Sequence, residues 1–277
     1  MAMTRQRGAA REVDTRHARF HPSSSVGNNG DMNDHRLGID IGGSGMKAAP
    51  VDPVKGDLVR ERLRIPTPQP ATPESVAEKV AEIVAHFEWT GPVGVTVPAV
   101  VKKGIVMTAA NIDESWIGTD AAQLFSTSTG CGVRVINDAD AAGIAEMRFG
   151  AGRDHDGVVL MITLGTGIGC AVFNDGVLLP NTELGHIEIH GHDAEQHASA
   201  KNREDTGDSW KKWGGRVNEY LRHLDALLWP DLIIIGGGVS KKADKFFEYL
   251  DVRAEIVVAQ LENDAGIIGA ALIAAPI

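Results

Sequence analysis

Two short glycine-rich segments, DIGGSGMK at 40–47 and LGTGIG at 164–169, carry groups suited to binding phosphate. Glycine lets the backbone turn tightly and approach a ligand, so several N–H groups can point at phosphate oxygens. Ser44 adds a hydroxyl donor and Lys47 a positive charge, and the Asp40 carboxylate could hold Mg²⁺ through water. The two segments therefore predict sites for a phosphate chain and its metal ion.

Each segment alone is also explained by an ordinary glycine hairpin. The first segment is neither a P-loop nor a dinucleotide-binding fingerprint, because a strand rather than a helix follows the turn. Two such turns at equivalent points of two lobes are more informative, since facing turns can hold a phosphate chain from both sides. The predicted phosphate-binding residues are Asp40, Gly42, Gly43, Ser44, Gly45, Lys47, Gly165, Thr166, Gly167 and Gly169.

An asparagine–aspartate pair, Asn137-Asp138, ends a short apolar strand and begins a helix. Asn and Asp occupy the N-cap of many helices, so capping alone would explain the pair. At the mouth of a cleft, however, the Asp138 carboxylate could accept the proton of a hydroxyl group. A carboxyl with an ordinary pKa of ~3.9 cannot deprotonate a free alcohol, so we expect it to orient the hydroxyl and take the proton late.

A third region, 183–197, combines side chains that bind sugar hydroxyls with side chains that bind metal ions. Glu183 and His186 lie in one turn, and Glu195 follows nine residues after His186. Metal binding is left open as an alternative by the crowding of His186, His190, His192 and His197. The region lacks, however, the close His/Cys spacing of a closed zinc site.

Two weaker candidates lie elsewhere in the chain. Asn111 begins the segment NIDESW, where a side chain of the kind that binds sugars stands near an aromatic ring, although turn chemistry alone would explain it. The run Gly236, Gly237 and Gly238 follows a buried strand. Such a run suits close approach to a nucleotide, and it equally suits any turn from a strand to a helix.

The elements that position these residues alternate between strands and helices. Strands are predicted at 37–41, 46–49, 58–65, 92–101, 133–136, 158–164, 170–173 and 232–235. Helices are predicted from an N-cap at Thr72, at 139–149 and at 262–275. A strand, a glycine turn and a second strand occur twice, which indicates two related lobes. The alternation predicts an α/β protein with a mixed sheet in each lobe.

The composition excludes several classes of partner. The 277 residues are 43% hydrophobic and carry a net charge of -10, with no clustered Lys and Arg, so a nucleic-acid or anionic-membrane partner is not expected. The two cysteines, Cys131 and Cys170, are typical of reduced intracellular thiols. No apolar run reaches the ~20 residues of a membrane span, and the polar N-terminus lacks a secretory signal, so we expect a cytoplasmic protein.

Taken together, these motifs resemble the ROK sugar kinases, and within them the bacterial polyphosphate/ATP glucokinases and glucomannokinases. The resemblance runs from Leu37 to the C-terminus and depends on the order of DIGGSGMK, TVPAVV, NIDESWIGTD, INDADAAG, LGTGIG, ELGHIEIHG and IIIGGGVS. It implies an actin-like (ribonuclease H-like) fold of two lobes around a cleft. The expected parts are a disordered tail at 1–35, an N-terminal lobe at 36–137 completed by a helix at 262–277, and a C-terminal lobe at 138–261.

The resemblance also implies roles for the candidate residues. Asp138 would be the catalytic base, and the two glycine turns would bind donor phosphates. Gly236, Gly237 and Gly238 would bind adenosine. The implied sugar ligands are Asn111, Asn137, Glu183, His186 and Glu195.

The implied reaction makes glucose 6-phosphate, and also mannose 6-phosphate, with inorganic polyphosphate or ATP as the phosphoryl donor and Mg²⁺ carried mainly by the donor phosphates. A homodimer is expected. Many ROK members carry a cysteine-rich zinc loop after the residue equivalent to His186, and the absence of cysteine there argues against structural zinc. The alternatives are an N-acetylhexosamine kinase of the same fold and a sugar-sensing regulator without catalysis, although 1–35 is too short for a DNA-binding winged helix and its linker.

Overall fold

The computed structural model describes residues 34–110 and 112–274. The predictions made for most of the 1–35 tail, for Asn111 and for 275–277 therefore concern residues outside the described part of the chain. The strands are β1 (Arg36–Ile41), β2 (Met46–Val51), β3 (Leu63–Ile65), β4 (Val93–Val97), β5 (Val101–Lys102), β6 (Ile105–Val106), β7 (Val133–Asn137), β8 (Val158–Leu164), β9 (Ile168–Asn174), β10 (Val177–Leu179), β11 (Glu188–Ile189), β12 (His192–Asp193), β13 (Leu232–Gly236) and β14 (Glu255–Val258). The helices are α1 (Pro73–His86), α2 (Ala121–Thr129), α3 (Asp138–Phe149), α4 (Glu195–Ala198), α5 (Ala200–Thr206), α6 (Trp210–Leu228) and α7 (Ala265–Ile273).

The first sheet has the strand order β3-β2-β1-β4-β7. β1 and β2 form an antiparallel hairpin closed by the first glycine turn, in which the Gly42 N–H donates to the Gly45 carbonyl at 3.1 Å. β1, β4 and β7 run parallel, so their carboxyl ends meet at one edge of the sheet. That edge presents Gly42 and Gly43 after β1, Pro98 and Ala99 after β4, and Asp138 after β7.

The second sheet, β10-β9-β8-β13-β14, begins in the same way. β8 and β9 form an antiparallel hairpin around the second glycine turn, where the Gly165 N–H donates to the Gly167 carbonyl at 3.0 Å. β8, β13 and β14 then run parallel. The prediction of two mixed sheets built on a repeated hairpin is confirmed.

Helix α1 forms where the sequence predicts it. The Thr72 hydroxyl accepts the Ser75 N–H at 3.3 Å, and Pro73 occupies the first turn, where its missing N–H costs nothing. One face of the helix buries Val76, Val80 and Ile83 against the first sheet.

Three sequence expectations are wrong in extent. The strand predicted at 58–65 is paired only at Leu63–Ile65, with a single bridge between Val51 and Leu58. The strand predicted at 92–101 ends at Val97, and Val101 belongs to a separate small hairpin. The final helix begins at Ala265, after a 3-10 turn at Glu262–Asp264, rather than at 262.

A shared core lies between the two sheets. Helices α3 and α7 pack against each other, and α7 also packs on β1 and β4. One buried cluster contains residues from both helices and both sheets, among them Val51, Ala145, Met161 and Ile267. The strands of the first sheet lie within 36–137, the range predicted for the N-terminal lobe, and those of the second sheet within 138–261, the range predicted for the C-terminal lobe. The lobe boundaries themselves remain a prediction. None of the helices described above combines the length and the hydrophobicity that a membrane-spanning helix needs.

Candidate active site

A cleft with a volume of about 430 Å³ collects residues from both sheets. Its walls are the edge of the first sheet, the start of α3, the second glycine turn and the 183–195 segment. The predicted site residues that line it are Gly42, Gly43, Asn137, Asp138, Gly165, Thr166, Gly167, Gly169, Glu183, His186, Glu195 and Gly237. Asp40, Ser44, Gly45, Lys47 and Gly236 lie outside this lining, and Gly238 lines a neighbouring cavity.

Two of the cleft glycines are not required by the fold. A Cβ built on Gly43 or on Gly165 would meet no atom within 4 Å, and neither residue has a positive φ. Their lack of a side chain leaves open space in front of the backbone on both sides of the cleft. That space suits close approach of phosphate oxygens to the two turns.

Asp138 is the first residue of α3 and lies at the base of the cleft. Burial, together with the negative charges of Asp40 and Glu183, raises the pKa of Asp138 to about 7, although the Ala139 N–H donates to its carboxylate at 2.9 Å. The expectation of an ordinary carboxyl pKa is therefore wrong. A carboxylate with a pKa near 7 is a better proton acceptor than one near 4.

Asn137 is chiefly a structural cap. Its side-chain oxygen accepts the N–H groups of Ala139 and Asp140 at 2.8 and 3.0 Å, and its amide group donates to the Ala99 carbonyl at 3.1 Å. The side chain is only 7% exposed. One amide N–H remains for a ligand in the cleft, because an asparagine amide has two hydrogens to donate.

Asp40 and Lys47 are partners in the β1–β2 ladder, and their side chains pair at 3.2 Å. The buried Thr96 hydroxyl donates to the other Asp40 oxygen at 2.9 Å and accepts the Ile41 N–H at 3.1 Å. The Lys47 ammonium group is therefore directed at Asp40. Together, Lys47 and Thr96 hold the Asp40 carboxylate in place. The sequence gives no local sign of the role of Thr96.

Glu183, His186 and Glu195 lie together on one wall. The His186 Nδ1 lies 3.0 Å from an Asp193 oxygen, and its Nε2 lies 3.7 Å from Glu183. Partial burial alone would lower the pKa of His186, but the Asp193 hydrogen bond and the nearby carboxylates raise it overall. Glu195 also accepts the Ile168 N–H at 3.2 Å, which ties this wall to the second glycine turn.

A buried aspartate and a partly buried asparagine, which sequence reasoning missed, hold the same wall in place. Asp140 is 1% exposed, and one of its oxygens accepts the Asn181 N–H at 2.8 Å. The Asn181 side chain in turn exchanges two hydrogen bonds with the Val101 backbone, at 2.8 and 3.0 Å. Asn181 thus connects α3 and the small β5–β6 hairpin to the loop that carries Glu183.

The carboxylate beside the cleft suits a magnesium ion that is held jointly by the protein and the donor phosphates. It does not suit a metal ion held by protein ligands alone. Mg²⁺ is usually held by one or two carboxylates together with substrate phosphates, and Asp40, whose charge acts on Asp138, is the carboxylate near the cleft that could hold it through water. No group of three or more His, Cys, Asp or Glu side chains among residues 34–110 and 112–274 is arranged to hold a metal ion. In the histidine-rich segment, His190 instead pairs with Glu219 at 2.8 Å, and His192 packs edge-on against His197.

A family comparison agrees with this geometry. The model of the ROK family matches residues 36–199, more than half of the chain. The chain belongs to the ROK family. Among its relatives, a polyphosphate glucokinase from Mycobacterium tuberculosis is 49% identical over 239 residues, which cover 86% of this chain and 90% of the relative.

Solved structures of ROK proteins share the fold. An inorganic polyphosphate/ATP-glucomannokinase from Arthrobacter sp. strain KM superposes with a TM-score of 0.84 at 53% identity, covering 87% of this chain and 98% of that one. A ROK family glucokinase from Streptomyces griseus, solved with glucose and AMPPNP, gives a TM-score of 0.75 at 26% identity and covers 87% and 99% of the two chains. The actin-like fold of two lobes predicted for this ROK protein is therefore confirmed.

Proposed function

We propose that this ROK protein is a hexokinase-type phosphotransferase that makes glucose 6-phosphate, and also mannose 6-phosphate, with inorganic polyphosphate or ATP as the donor. The observation that carries the proposal is the position of Asp138, which lies between two open glycine turns and the Glu183–His186–Glu195 wall. The identity of 49–53% to a polyphosphate glucokinase and a glucomannokinase supports this donor and acceptor class. No described feature of the cleft favours an N-acetylhexosamine or a purely regulatory role.

In this mechanism the hexose lies against the wall formed by Glu183, His186 and Glu195. Asp138 orients the 6-hydroxyl and receives its proton as the oxygen bonds to the terminal phosphorus. The bridging P–O bond breaks on the opposite side, and its electrons stay on the shortened polyphosphate or on ADP. The backbone N–H groups of the glycine turns stabilise the transferred charge without reorganising. When bound, Mg²⁺ would supply further neutralisation of the donor phosphates, with Asp40 as the carboxylate that would hold it through water.

We expect kcat/KM for glucose to rise with pH and to level off above about 7, because proton transfer requires Asp138 in its ionised form and its pKa is about 7. Below that value the rate should fall by about tenfold per pH unit. Initial rates at constant Mg²⁺ and ionic strength, with ATP and with polyphosphate, measure the profile. Equal rates at pH 5.5 and pH 8 with both donors would contradict the role of Asp138.

The donor and the acceptor are tested together in a coupled assay with glucose, mannose and N-acetylglucosamine, each with ATP and with polyphosphate. We expect 6-phosphates of glucose and mannose from both donors. Faster turnover of N-acetylglucosamine than of glucose would favour the N-acetylhexosamine alternative. Sugar binding without turnover by either donor would favour the regulator.

We also propose that the protein is a cytoplasmic homodimer. The buried free thiols Cys131 and Cys170 suit a reducing compartment, and the dimer is the expectation from the ROK resemblance. Light scattering of the purified protein during gel filtration measures the oligomeric state, and a mass of one chain would contradict the dimer.

A further inference from the structure

A second cavity, of about 330 Å³, adjoins the cleft and is here named the outer groove. It shares Gly165 and Thr166 with the cleft, and Gly238 lines it where Gly237 lines the cleft. A linear ligand whose end lies beside Asp138 can therefore continue past the second glycine turn into the outer groove.

Three cations surround Trp210, which lines the outer groove. The Arg203 guanidinium lies 3.8 Å from the ring centroid, and the ammonium groups of Lys242 and Lys245 lie at 5.9 and 5.8 Å. Positive groups at these distances are attracted to the face of an indole. Phe246 also stacks against Trp210, with 6.2 Å between centroids and 16° between planes. The indole thus gathers positive charge beside the groove, which Arg203 and Lys242 line directly and which Lys245 approaches only through Trp210.

None of these three cations forms an ion pair with a described carboxylate. Glu204 and Asp205 also line the outer groove, but Asp205 pairs with Lys201 at 2.7 Å. Within the part of the chain that the structure describes, no carboxylate oxygen lies within 4.0 Å of Arg203 or of the two lysines beside Trp210. The cluster is unusual in a protein with a net charge of -10. Mutual repulsion of the three charges is a cost that a bound polyanion would offset.

A nucleobase and a phosphate chain make different demands on this groove. A base would stack on a bare aromatic face, whereas Arg203 already covers a face of Trp210 at 3.8 Å. A linear phosphate chain carries a negative charge on each internal phosphate and needs spaced cations with flexible stems, which Lys242 and Lys245 provide. The spaced cations favour the chain. Because Gly238, which the ROK resemblance assigns to adenosine, also lines the groove, ATP and polyphosphate would share part of this space.

We propose that Arg203, Lys242 and Lys245 form a subsite for the distal phosphates of a long polyphosphate, while its terminal phosphate lies beside Asp138. This subsite rests on the proposed use of polyphosphate as a donor and adds the path of the chain beyond the glycine turns. It makes the affinity for polyphosphate depend on chain length, because a short chain ends before it reaches the outer groove.

The test compares the full chain with the double variant Lys242→Met/Lys245→Met, which keeps most of each stem and removes the charge. The control is Lys55→Met, which removes an exposed lysine on the loop after β2. We expect the double variant to raise KM for long-chain polyphosphate about five- to tenfold and to change kcat, and KM for tripolyphosphate and ATP, by less than about twofold. The salt dependence of KM for the long chain should also become shallower, since fewer ions are displaced on binding.

Two results would overturn the subsite while polyphosphate remains a donor. One is an unchanged KM for long-chain polyphosphate in an active double variant. The other is an equal rise in KM for ATP and for long chains, which would assign the three cations to nucleotide binding. A wild-type protein that turns over ATP but no polyphosphate of any length would instead overturn the proposed donor, and the subsite with it.

Discussion

Replacement of Asp138 by Asn is expected to lower kcat for glucose phosphorylation by about 10³-fold while the affinity for glucose changes only a few-fold. The amide cannot accept the proton of the 6-hydroxyl, and loss of a general base typically costs 10²–10⁴-fold. Asn keeps the size of the side chain, and its oxygen can still accept the Ala139 N–H. Steady-state kinetics and calorimetric titration with glucose measure the two quantities. Retention of most of the activity would contradict the assignment.

The same substitution should stabilise the protein, and by an amount that grows with pH. Between pH 4 and 7 the folded protein binds more protons at Asp138 than the unfolded chain does, because the pKa rises from 3.8 to about 7 on folding. The contribution of this carboxyl to stability is therefore present at low pH and is lost as pH rises through 7. We expect the variant to gain about 1–3 kcal/mol over the wild type at pH 8, a range reduced for partial exposure to solvent, and little at pH 4.

Thermal unfolding of both proteins from pH 4 to pH 8 measures this difference. Asp154→Asn is a suitable control, since it makes the same chemical change at an exposed turn residue. A stability difference between the wild type and Asp138→Asn that stays the same at every pH would contradict this expectation. That result would show that the buried charge of Asp138 does not destabilise the folded protein.

The parts of the fold that the sequence predicts are those with local causes. The Thr72 cap, the glycine turns and the apolar strands form where the pattern indicates, because turn chemistry and side-chain periodicity act within a few residues. Strand extents depend instead on the partner. Pro50, within β2, has no N–H to donate, and apart from the single Val51–Leu58 bridge the predicted strand at 58–65 pairs with β2 at Leu63–Ile65.

The candidate site likewise contains residues that a local motif predicts and residues whose role depends on distant partners. The residues brought together around Asp138 belong to short motifs, whereas Thr96 and Asn181 act through partners 41 to 80 positions away, and no local pattern marks them. For Lys47 a signal was present. A hairpin whose turn spans 42–45 places Lys47 opposite Asp40 in the register, which predicts their ion pair and weighs against a lysine aimed at phosphate.

Replacement of Gly94 by Ala should destabilise the protein by about 3–5 kcal/mol or prevent its folding. A Cβ on this β4 residue would lie 1.7 Å from the Ala270 carbonyl oxygen, so helix α7 would have to move away from the sheet. The helix has little room to do so. On β1, a Cβ on Gly38 would lie 1.9 Å from the Ile267 carbonyl oxygen. A Cβ on Gly269 of α7 would lie 1.8 Å from the Ala141 carbonyl oxygen of α3.

Because α3 begins at Asp138, a displaced α7 should also disturb the cleft, and any folded Gly94→Ala protein should lose turnover beyond its loss of stability. Urea unfolding and kcat at a fixed folded fraction separate the two effects. Gly215→Ala is the matched control, since a Cβ on this exposed α6 residue meets no atom within 4 Å and should gain up to about 1 kcal/mol from helix propensity. Equal stabilities of the Gly94→Ala variant and the wild type would contradict the close packing of α7 on β4. The contact between the two lobes would then leave room for a methyl group at position 94.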